Sequence, residues 1–243
     1  MTVFNAANTP NLHPSISFIH EDRYRRLWIG TDGGGLCQYR NGTFVRFDSA
    51  AGFIGTMISA MNEDGSGRMW FATEGGIFVF AGDKFVHVPY ARAFPEKSVT
   101  GILPRPDGSV YLELVDVVFH VRLSGDTLVL LDKPFHTAGY RVDQDSTGTL
   151  WYAVRGKGLA QRNGSSEHID GRFARVFPEE VFIPRNQEKW LLTPRGPYVL
   201  KNGSVEHLQW VDGIDLSNAS FVFEDREDIL WLAVWFEVLM SVV

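Results

Sequence analysis

The sequence has a single cysteine and few basic residues, and both scarcities exclude classes of protein. Cys37 has no second cysteine to pair with, so neither a disulfide framework nor a cysteine-rich metal site is expected. Lysine and arginine number 23 against 29 aspartates and glutamates, which gives a net charge of −6. A nucleic-acid binder usually needs a basic face, and we therefore expect no nucleic-acid partner.

Long apolar runs are also missing. No stretch approaches the ~20 apolar residues that a membrane-spanning helix needs. The first ten residues lack the basic and apolar regions of an export signal. The sequence therefore predicts no direct membrane insertion. With 44% hydrophobic and 13% aromatic residues among 243, the chain can still bury a sizeable core.

Catalytic and metal-binding motifs are scarce as well. The seven histidines are scattered, and there is no H-E-x-x-H, G-x-S-x-G, Walker or G-x-G-x-x-G motif. The segment from Asp143 onward opens like a calcium loop, but its twelfth position is Val154 instead of glutamate. Asx-type turns explain such carboxylates more simply. We therefore predict a protein that is not an enzyme and has no cofactor or resident metal.

What the sequence does contain is a phrase that recurs about every 40 residues. An apolar segment, an acidic or glycine-bearing turn and a Leu-Trp-type segment repeat at spacings of 42, 41, 40, 39 and 41 residues. The anchors of the six repeats are Trp28, Trp70, Tyr111, Trp151, Trp190 and Trp231. A large aromatic residue at one fixed position in mid-strand is expected to pack between neighbouring sheets, and not to bind a ligand.

Each repeat is predicted to fold as four strands, a to d. Asn41-Gly42 would join strands c and d of the first repeat in a type I′ turn. The equivalent turns are expected at residues 82–83, 125–126, 163–164 and 202–203. No segment has the 3.6-residue period of a helix with caps. Four strands per 40 residues are typical of a β-propeller blade, so we predict an all-β propeller that forms a single domain over residues 1–243.

The two ends of the chain together supply one more repeat length. Twelve residues follow Trp231, and 28 residues run from Met1 through Trp28. The head, around residues 2–5, can thus add strand d to a last blade whose strand c comes from the tail. This predicts six four-stranded blades closed by the N-terminal strand, with no free sheet edge. The alternative is a fragment of a longer repeat array.

The residues L-W-I-G-T-D-G-G-G-L, followed by Y-x-N-G-x-F, resemble the two-component regulator propeller repeat. The resemblance spans nearly the whole chain and is weak around Tyr111, where Leu114, Val115 and Asp116 replace T-x-G. It implies a sensor module of a hybrid two-component system that binds a small polar or carbohydrate-like ligand and often forms a homodimer. The expected location is periplasmic or extracytoplasmic if the chain is part of such a sensor, and cytoplasmic if it is complete.

Two alternative functions stay open. Residues 67–73, G-R-M-W-F-A-T, also resemble the repeats of streptogramin lyases. That resemblance implies an enzyme with a committed histidine and metal-binding carboxylates on one face, a set that the sequence does not reveal. A scaffold for a protein partner would instead show an apolar patch on a face or rim and no pocket.

We expect the ligand at the face formed by the b–c loops and the d–a connections, because the repeats differ most there. The candidate ligand-binding residues are Asp32, Glu74, Arg155, Lys157, Arg195, Trp235, His13 and His136. The glycines beside them are interpreted as turn residues that need positive φ. Trp210 and Trp235 lie off the anchor position and are candidates for exposed stacking. Phe236-Glu237-Val238 stands where other repeats have glycine, so an altered b–c connection is expected there.

Deleting residues 1–8 tests the predicted closure. Without its N-terminal strand, the apolar strand c of the last blade would lose its partner and offer an edge to other chains. We expect a sharply lower melting temperature and self-association, measured by thermal denaturation and size-exclusion chromatography. A deletion variant that stays monomeric with an unchanged melting temperature would contradict both the closure and the exposed edge.

Overall fold

The described part of the chain folds almost entirely as antiparallel β-strands. The computed structural model describes residue 9 and residues 11–89, 99–137, 141–234 and 238–242, the last range by its backbone alone. Helix in these residues is confined to two short 3₁₀ segments, Ser49–Ala51 and Gly171–Phe173. No described helix is long and apolar enough to cross a membrane. The chain divides into two compact units, Met1–His136 and Thr137–Val243, and each is described by itself.

Three sheets follow one another in the first unit, each with its strands in chain order. The first sheet contains β1 (Ile16–Glu21), β2 (Leu27–Thr31), β3 (Leu36–Arg40) and β4 (Thr43–Phe47). The second contains β5 (Ile58–Glu63), β6 (Met69–Thr73), β7 (Gly76–Ala81) and β8 (Lys84–Pro89). The third contains β9 (Val99–Pro104), β10 (Val110–Leu114), β11 (Val117–Ser124) and β12 (Thr127–Leu130). A short strand, β13 (Phe135–His136), also pairs with β11, so the outermost strand of the third sheet is in two pieces.

The described residues of the second unit repeat this layout and add one hairpin. The fourth sheet contains β14 (Val142–Gln144), β15 (Leu150–Val154), β16 (Gly158–Asn163) and β17 (Ser166–Asp170). The fifth contains β18 (Glu180–Phe182), β19 (Lys189–Leu192), β20 (Tyr198–Lys201) and β21 (Ser204–His207). The hairpin is β22 (Trp210–Val211) and β23 (Ile214–Asp215). The sixth sheet has three described strands, β24 (Ala219–Glu224), β25 (Leu230–Val234) and β26 (Val238–Val242).

The predicted all-β class is confirmed, and so is the four-stranded antiparallel sheet in the first, second, fourth and fifth repeats, while the third sheet has a fifth short strand and the sixth has three described strands. The blade number, the closure of the ring and the single domain stay predictions. Residues 2–5, which would close the last blade, lie outside the described residues, and so do Trp235, Phe236 and Glu237 at its b–c connection.

Four of the five c–d turns lie at the predicted residues, since Ser124 also pairs with Thr127 across residues 125–126, and the remaining one lies one residue later than predicted. Both central residues have positive φ at positions 41–42, 82–83 and 202–203, as type I′ turns require. In the fourth sheet Asn163 pairs with Ser166, so Gly164 and Ser165 form the turn, and not residues 163–164 as expected. Gly164 has a φ of 57°, a conformation that glycine adopts without a Cβ penalty.

One hydrogen-bonding pattern recurs at the turn between strands a and b. The Oδ1 atom of an aspartate accepts the backbone N–H groups two and four residues later, which confirms the Asx-type turns. The Oδ2 atom accepts the indole N–H of the anchor tryptophan six residues later. These Nε1–Oδ2 distances are 2.9 Å for Trp28–Asp22, 2.7 Å for Trp70–Asp64, 2.8 Å for Trp151–Asp145 and 2.6 Å for Trp231–Asp225.

The core of each unit lies between successive sheets. Trp28 is fully buried between the first and second sheets, and its ring centroid lies 5.5 Å from that of Phe47 and 5.1 Å from that of Phe80. Trp70 and Trp190 are also buried. The predicted packing role is therefore confirmed for these three anchors, whereas Trp151 and Trp231 are only partly buried.

Hydrogen bonds between neighbouring sheets join residues about one repeat apart. Ser17 Oγ donates to the Ile58 carbonyl at 3.1 Å, a separation of 41 residues. The backbone N–H of Arg23 donates to Glu63 at 2.9 Å, and that of Arg185 donates to Glu224 at the same distance. These two pairs occupy equivalent repeat positions, so one interaction is used in both units.

The stabilisation that the Asp22 carboxylate gives to its turn depends on pH. Burial works to raise the pKa of Asp22, but hydrogen bonds from Trp28 and Arg26, together with the Arg26 charge, outweigh burial and hold the pKa below its ordinary value. A carboxyl whose pKa is lowered on folding stabilises the fold above its unfolded pKa of about 4. That stabilisation is lost as the pH falls through the folded pKa.

Replacing Asp22 by asparagine tests this turn. The amide of Asp22→Asn would direct N–H donors at the donors of Trp28 and Arg26, so we expect about 1–3 kcal/mol lower free energy of unfolding at pH 7. The difference from the unaltered chain should begin to shrink below about pH 4, where the carboxyl of the unfolded chain takes up a proton, and should vanish as the pH falls through the lower folded pKa. Urea denaturation across pH 3 to 7 measures both effects.

The matched control is Asp83→Asn. Asp83 is exposed in a c–d turn with a φ of 65°, a conformation that asparagine tolerates, so this variant should be near neutral. Equal stability of both variants at pH 7 would show that the buried carboxylate does not stabilise the turn.

Candidate functional site

The loops between strands b and c and the connections between strands d and a leave the sheets at one end. This follows from the a-b-c-d order of antiparallel strands in every sheet. In the first unit this end carries the predicted residues His13, Asp32, Glu74 and His136. In the second unit it carries Arg155, Lys157 and Arg195. The predicted Trp235 lies outside the described residues.

Glu74 ties the b–c turn of the second sheet to the d–a connection that precedes that sheet. Its Oε1 accepts the backbone N–H of Thr56 at 2.8 Å and the Thr56 hydroxyl at 2.6 Å, and its Oε2 accepts the backbone N–H of Met57 at 3.0 Å. Burial works to raise the pKa of Glu74, but these hydrogen bonds hold it below its ordinary value. The exposed Asp32 forms an isolated backbone bridge with Met57, so the structure brings Asp32 and Glu74 to one connection.

His13 lines a polar cavity of about 350 Å³ at the same end of the first sheet. The other lining residues are Thr9, Asn11, Leu12, Pro14, Gly33, Gly34 and Arg46. His13 approaches the b–c turn so closely that a Cβ on Gly34 would lie 2.1 Å from the Cβ of His13. Glycine at position 34 is thus a requirement of the cavity wall.

Arg46 is a cavity residue that sequence reasoning missed. It lies on β4, and from the sequence an arginine in such a strand predicts only a solvent-exposed side chain. Its charge also acts on Cys37: burial raises the pKa of the Cys37 thiol, and Arg46 partly offsets that effect. The Cys37 thiol donates to the carbonyl of Asn11, another cavity residue, at 3.3 Å.

Histidines contact the b–c turns of three further sheets. His136 Nδ1 lies 3.2 Å from the Asp116 carbonyl, His87 Nε2 lies 3.2 Å from the Gly75 carbonyl, and His207 Nε2 lies 2.7 Å from the Arg195 carbonyl. His87 stacks on Phe78 and His207 on Tyr198, each with ring centroids 4.2 Å apart. Sequence reasoning missed His87 and His207, although each follows the glycine of its b–c turn by 11 residues.

The same end of the second unit combines exposed cations with exposed aromatic rings. Arg155, Lys157 and Arg195 are exposed on the b–c loops of the fourth and fifth sheets. Trp210 is 60% exposed, as its position off the repeat pattern predicted, and Phe177 is 58% exposed. Phe177 has a φ of 51°, which is strained for a bulky residue, and strain of this kind is often found at functional sites.

In the acidic segment that resembles the start of a calcium loop, the carboxylates of Asp143 and Asp145 accept hydrogen bonds from the chain itself. Asp143 Oδ2 accepts the backbone N–H of Ile183 at 2.8 Å, and Asp145 forms the turn bonds described above. Among the described residues, no three histidine, cysteine, aspartate or glutamate side chains are placed to hold a metal ion.

Comparison with solved structures relates the chain to two extracellular domains from B. thetaiotaomicron that are assigned to hybrid two component systems. The first has 18% identity and a TM-score of 0.71, over 91% of this chain and 32% of that one. The second has 16% identity and a TM-score of 0.55, over 90% of this chain and 37% of that one. The chain therefore spans about a third of the length of these domains.

A catalytically inactive virginiamycin B lyase from Staphylococcus aureus, in a crystal structure with quinupristin, is also similar. It has 12% identity and a TM-score of 0.65, over 92% of this chain and 78% of the lyase. At such identities the likeness to all three structures is one of fold alone.

Comparison of the sequence with curated proteins found no match. A family model does match residues 52–75, which run from the end of the first repeat through strand b of the second. Its description is two component regulator propeller. The resemblance noted in the sequence is thereby confirmed, since residues 52–75 match the repeat of the two component regulator propeller family.

Proposed function

We propose that the chain is a ligand-binding module of sensor type, without enzymatic activity, that takes a small polar or carbohydrate-like ligand at its b–c and d–a end. The cavity at His13 and Arg46 carries this proposal. An imidazole and a guanidinium there offer hydrogen-bond donors that suit the hydroxyl or carboxylate groups of a saccharide. The regulator propeller repeat at residues 52–75 supports the sensor role.

The exposed end of the second unit supports the same class of ligand. Phe177 and Trp210 present aromatic faces that can stack on sugar rings, and Arg155, Lys157 and Arg195 lie on loops at that end. A protein partner or a second copy of this chain would use the same rings and charges. We propose an extracytoplasmic location because the similar solved domains from B. thetaiotaomicron are extracellular. The likeness to virginiamycin B lyase carries no proposal of activity.

Isothermal titration of the chain with neutral and uronate-containing hexasaccharides tests this proposal. We expect at least one saccharide to bind and Arg46→Ala to weaken its association at least about tenfold, as removal of a charge-assisted hydrogen bond does. Arg40→Ala is the matched control because Arg40 is exposed at the opposite end of the same β-hairpin, next to the c–d turn. This variant should bind normally.

Two outcomes would contradict the proposed site. One is that circular dichroism shows a folded chain that binds none of the saccharides. The other is that Arg46→Ala and Arg40→Ala bind a saccharide equally well, which would place the ligand elsewhere.

A further inference from the structure

His20 occupies a position in strand a that links one sheet to the next elsewhere in the chain. It lies opposite the anchor Trp28 across β1 and β2, as Asn62 lies opposite the anchor of the second repeat across β5 and β6. The Asn62 side-chain amide donates to the Ile102 carbonyl of the third sheet at 3.0 Å. The equivalent acceptor for His20 is the Met61 carbonyl, because Met61 and Ile102 each lie nine residues before an anchor.

The His20 ring does not form that link. Its Nε2 atom is buried and has no hydrogen-bond partner among the described residues. A neutral imidazole carries one N–H, so Nε2 can be the nitrogen without hydrogen while Nδ1 carries it. An imidazolium has an N–H at both nitrogens, and protonation would therefore create a buried donor without an acceptor. The geometry of the interface between β1 and β5 thus disfavours the charged ring.

The carboxylates that act on His20 are already bound to arginines. The ion pairs are Glu63–Arg23 at 2.5 Å, Asp22–Arg26 at 2.5 Å and Glu21–Arg25 at 2.9 Å. A charged imidazole would have to compete with these arginines for a counter-ion. Burial lowers the pKa of His20, although Glu63, Asp22 and Glu21 work in the opposite direction.

Two hydrogen bonds hold the β1–β5 interface on either side of His20. Three residues before it, Ser17 Oγ donates to the Ile58 carbonyl at 3.1 Å. Three residues after it, the backbone N–H of Arg23 donates to Glu63 at 2.9 Å. His20 therefore lies in the middle of the contact, where an unsatisfied donor would favour separation of the two strands.

We propose that His20 makes the β1–β5 interface sensitive to acid, so that the interface is closed around a neutral imidazole and opens more often once the ring is protonated. In the open state water solvates the ring, and its pKa returns towards the ordinary value of about 6.5. The open state therefore binds the proton more tightly than the closed state. The stability of the interface should fall as the pH drops through about 6.5 and level off below the folded pKa.

This device is separate from the other sites of the chain. The Asp22 carboxylate affects stability only below about pH 4, and the device does not depend on a ligand at the b–c and d–a end.

Hydrogen exchange measured by NMR from pH 7.5 to 5 reports opening of this interface. Protection factors are corrected for the effect of pH on the intrinsic exchange rate. We expect the protection of the β1 and β5 amides to fall at least about threefold on acidification, while amides of β15 and β16 in the second unit keep theirs. Ring resonances from the same samples give the pKa of His20, identified by its loss in His20→Asn, and we expect it below the ordinary value.

Two variants at position 20 remove the titrating group. His20→Asn introduces the residue of the second repeat, which can donate to the Met61 carbonyl, and His20→Phe introduces the residue of the fifth, Phe182. Neither side chain titrates, so both variants should abolish the fall in protection. His168→Asn is the matched control, because His168 is an exposed histidine on β17, and it should leave the fall unchanged.

Three results would overturn the proposal. His20 could titrate at its ordinary value, acid could leave the protection of β1 and β5 in the unaltered chain unchanged, or a folded His20→Asn could lose protection as the unaltered chain does. If neither variant at position 20 folds, the exchange and titration data of the unaltered chain decide.

Discussion

A buried carboxylate that accepts an indole N–H organises the turn on which each complete repeat depends. Asp64 shows why: one side chain accepts two backbone N–H groups of the turn and the N–H of Trp70. The tryptophan can therefore lie wholly inside the protein without leaving a polar atom unsatisfied. Its ring then fills the space between two sheets, and an aromatic side chain of this size buries a large apolar area there.

Neighbouring sheets are held together by interactions that span one repeat. The bond from Arg23 to Glu63 in the first unit recurs between Arg185 and Glu224 in the second, so the two units join a pair of neighbouring sheets in the same way. These bonds and the tryptophans occupy the sheet interfaces and the a–b turns. The anchor tryptophans and these Arg–Glu bonds do not involve the b–c loops at the opposite end of the sheets. Those loops can therefore differ from repeat to repeat, and in the first sheet they help to form the cavity at His13 and Arg46.

The fifth repeat lacks the turn carboxylate, because Pro184 takes the position of the aspartate. Pro184 keeps the backbone turn, and Trp190 stays buried although no aspartate lies six residues before it. In the third repeat Tyr111 takes the anchor position, and the Arg105 guanidinium lies over its ring and donates a hydrogen bond to its hydroxyl oxygen.

The amino-acid sequence by itself determined the repeat period, the strands, the Asx turns and the burial of Trp28 and Trp70, because these depend on local spacing that every copy repeats. It also placed Asp32 and Glu74 at one end of the sheets. Only the tertiary structure decided that Glu74 is held by Thr56 and Met57 and that Arg46 joins His13 at a cavity. Those properties depend on atoms from different strands and loops, whose distances are set by sheet packing and leave no periodic trace in the chain.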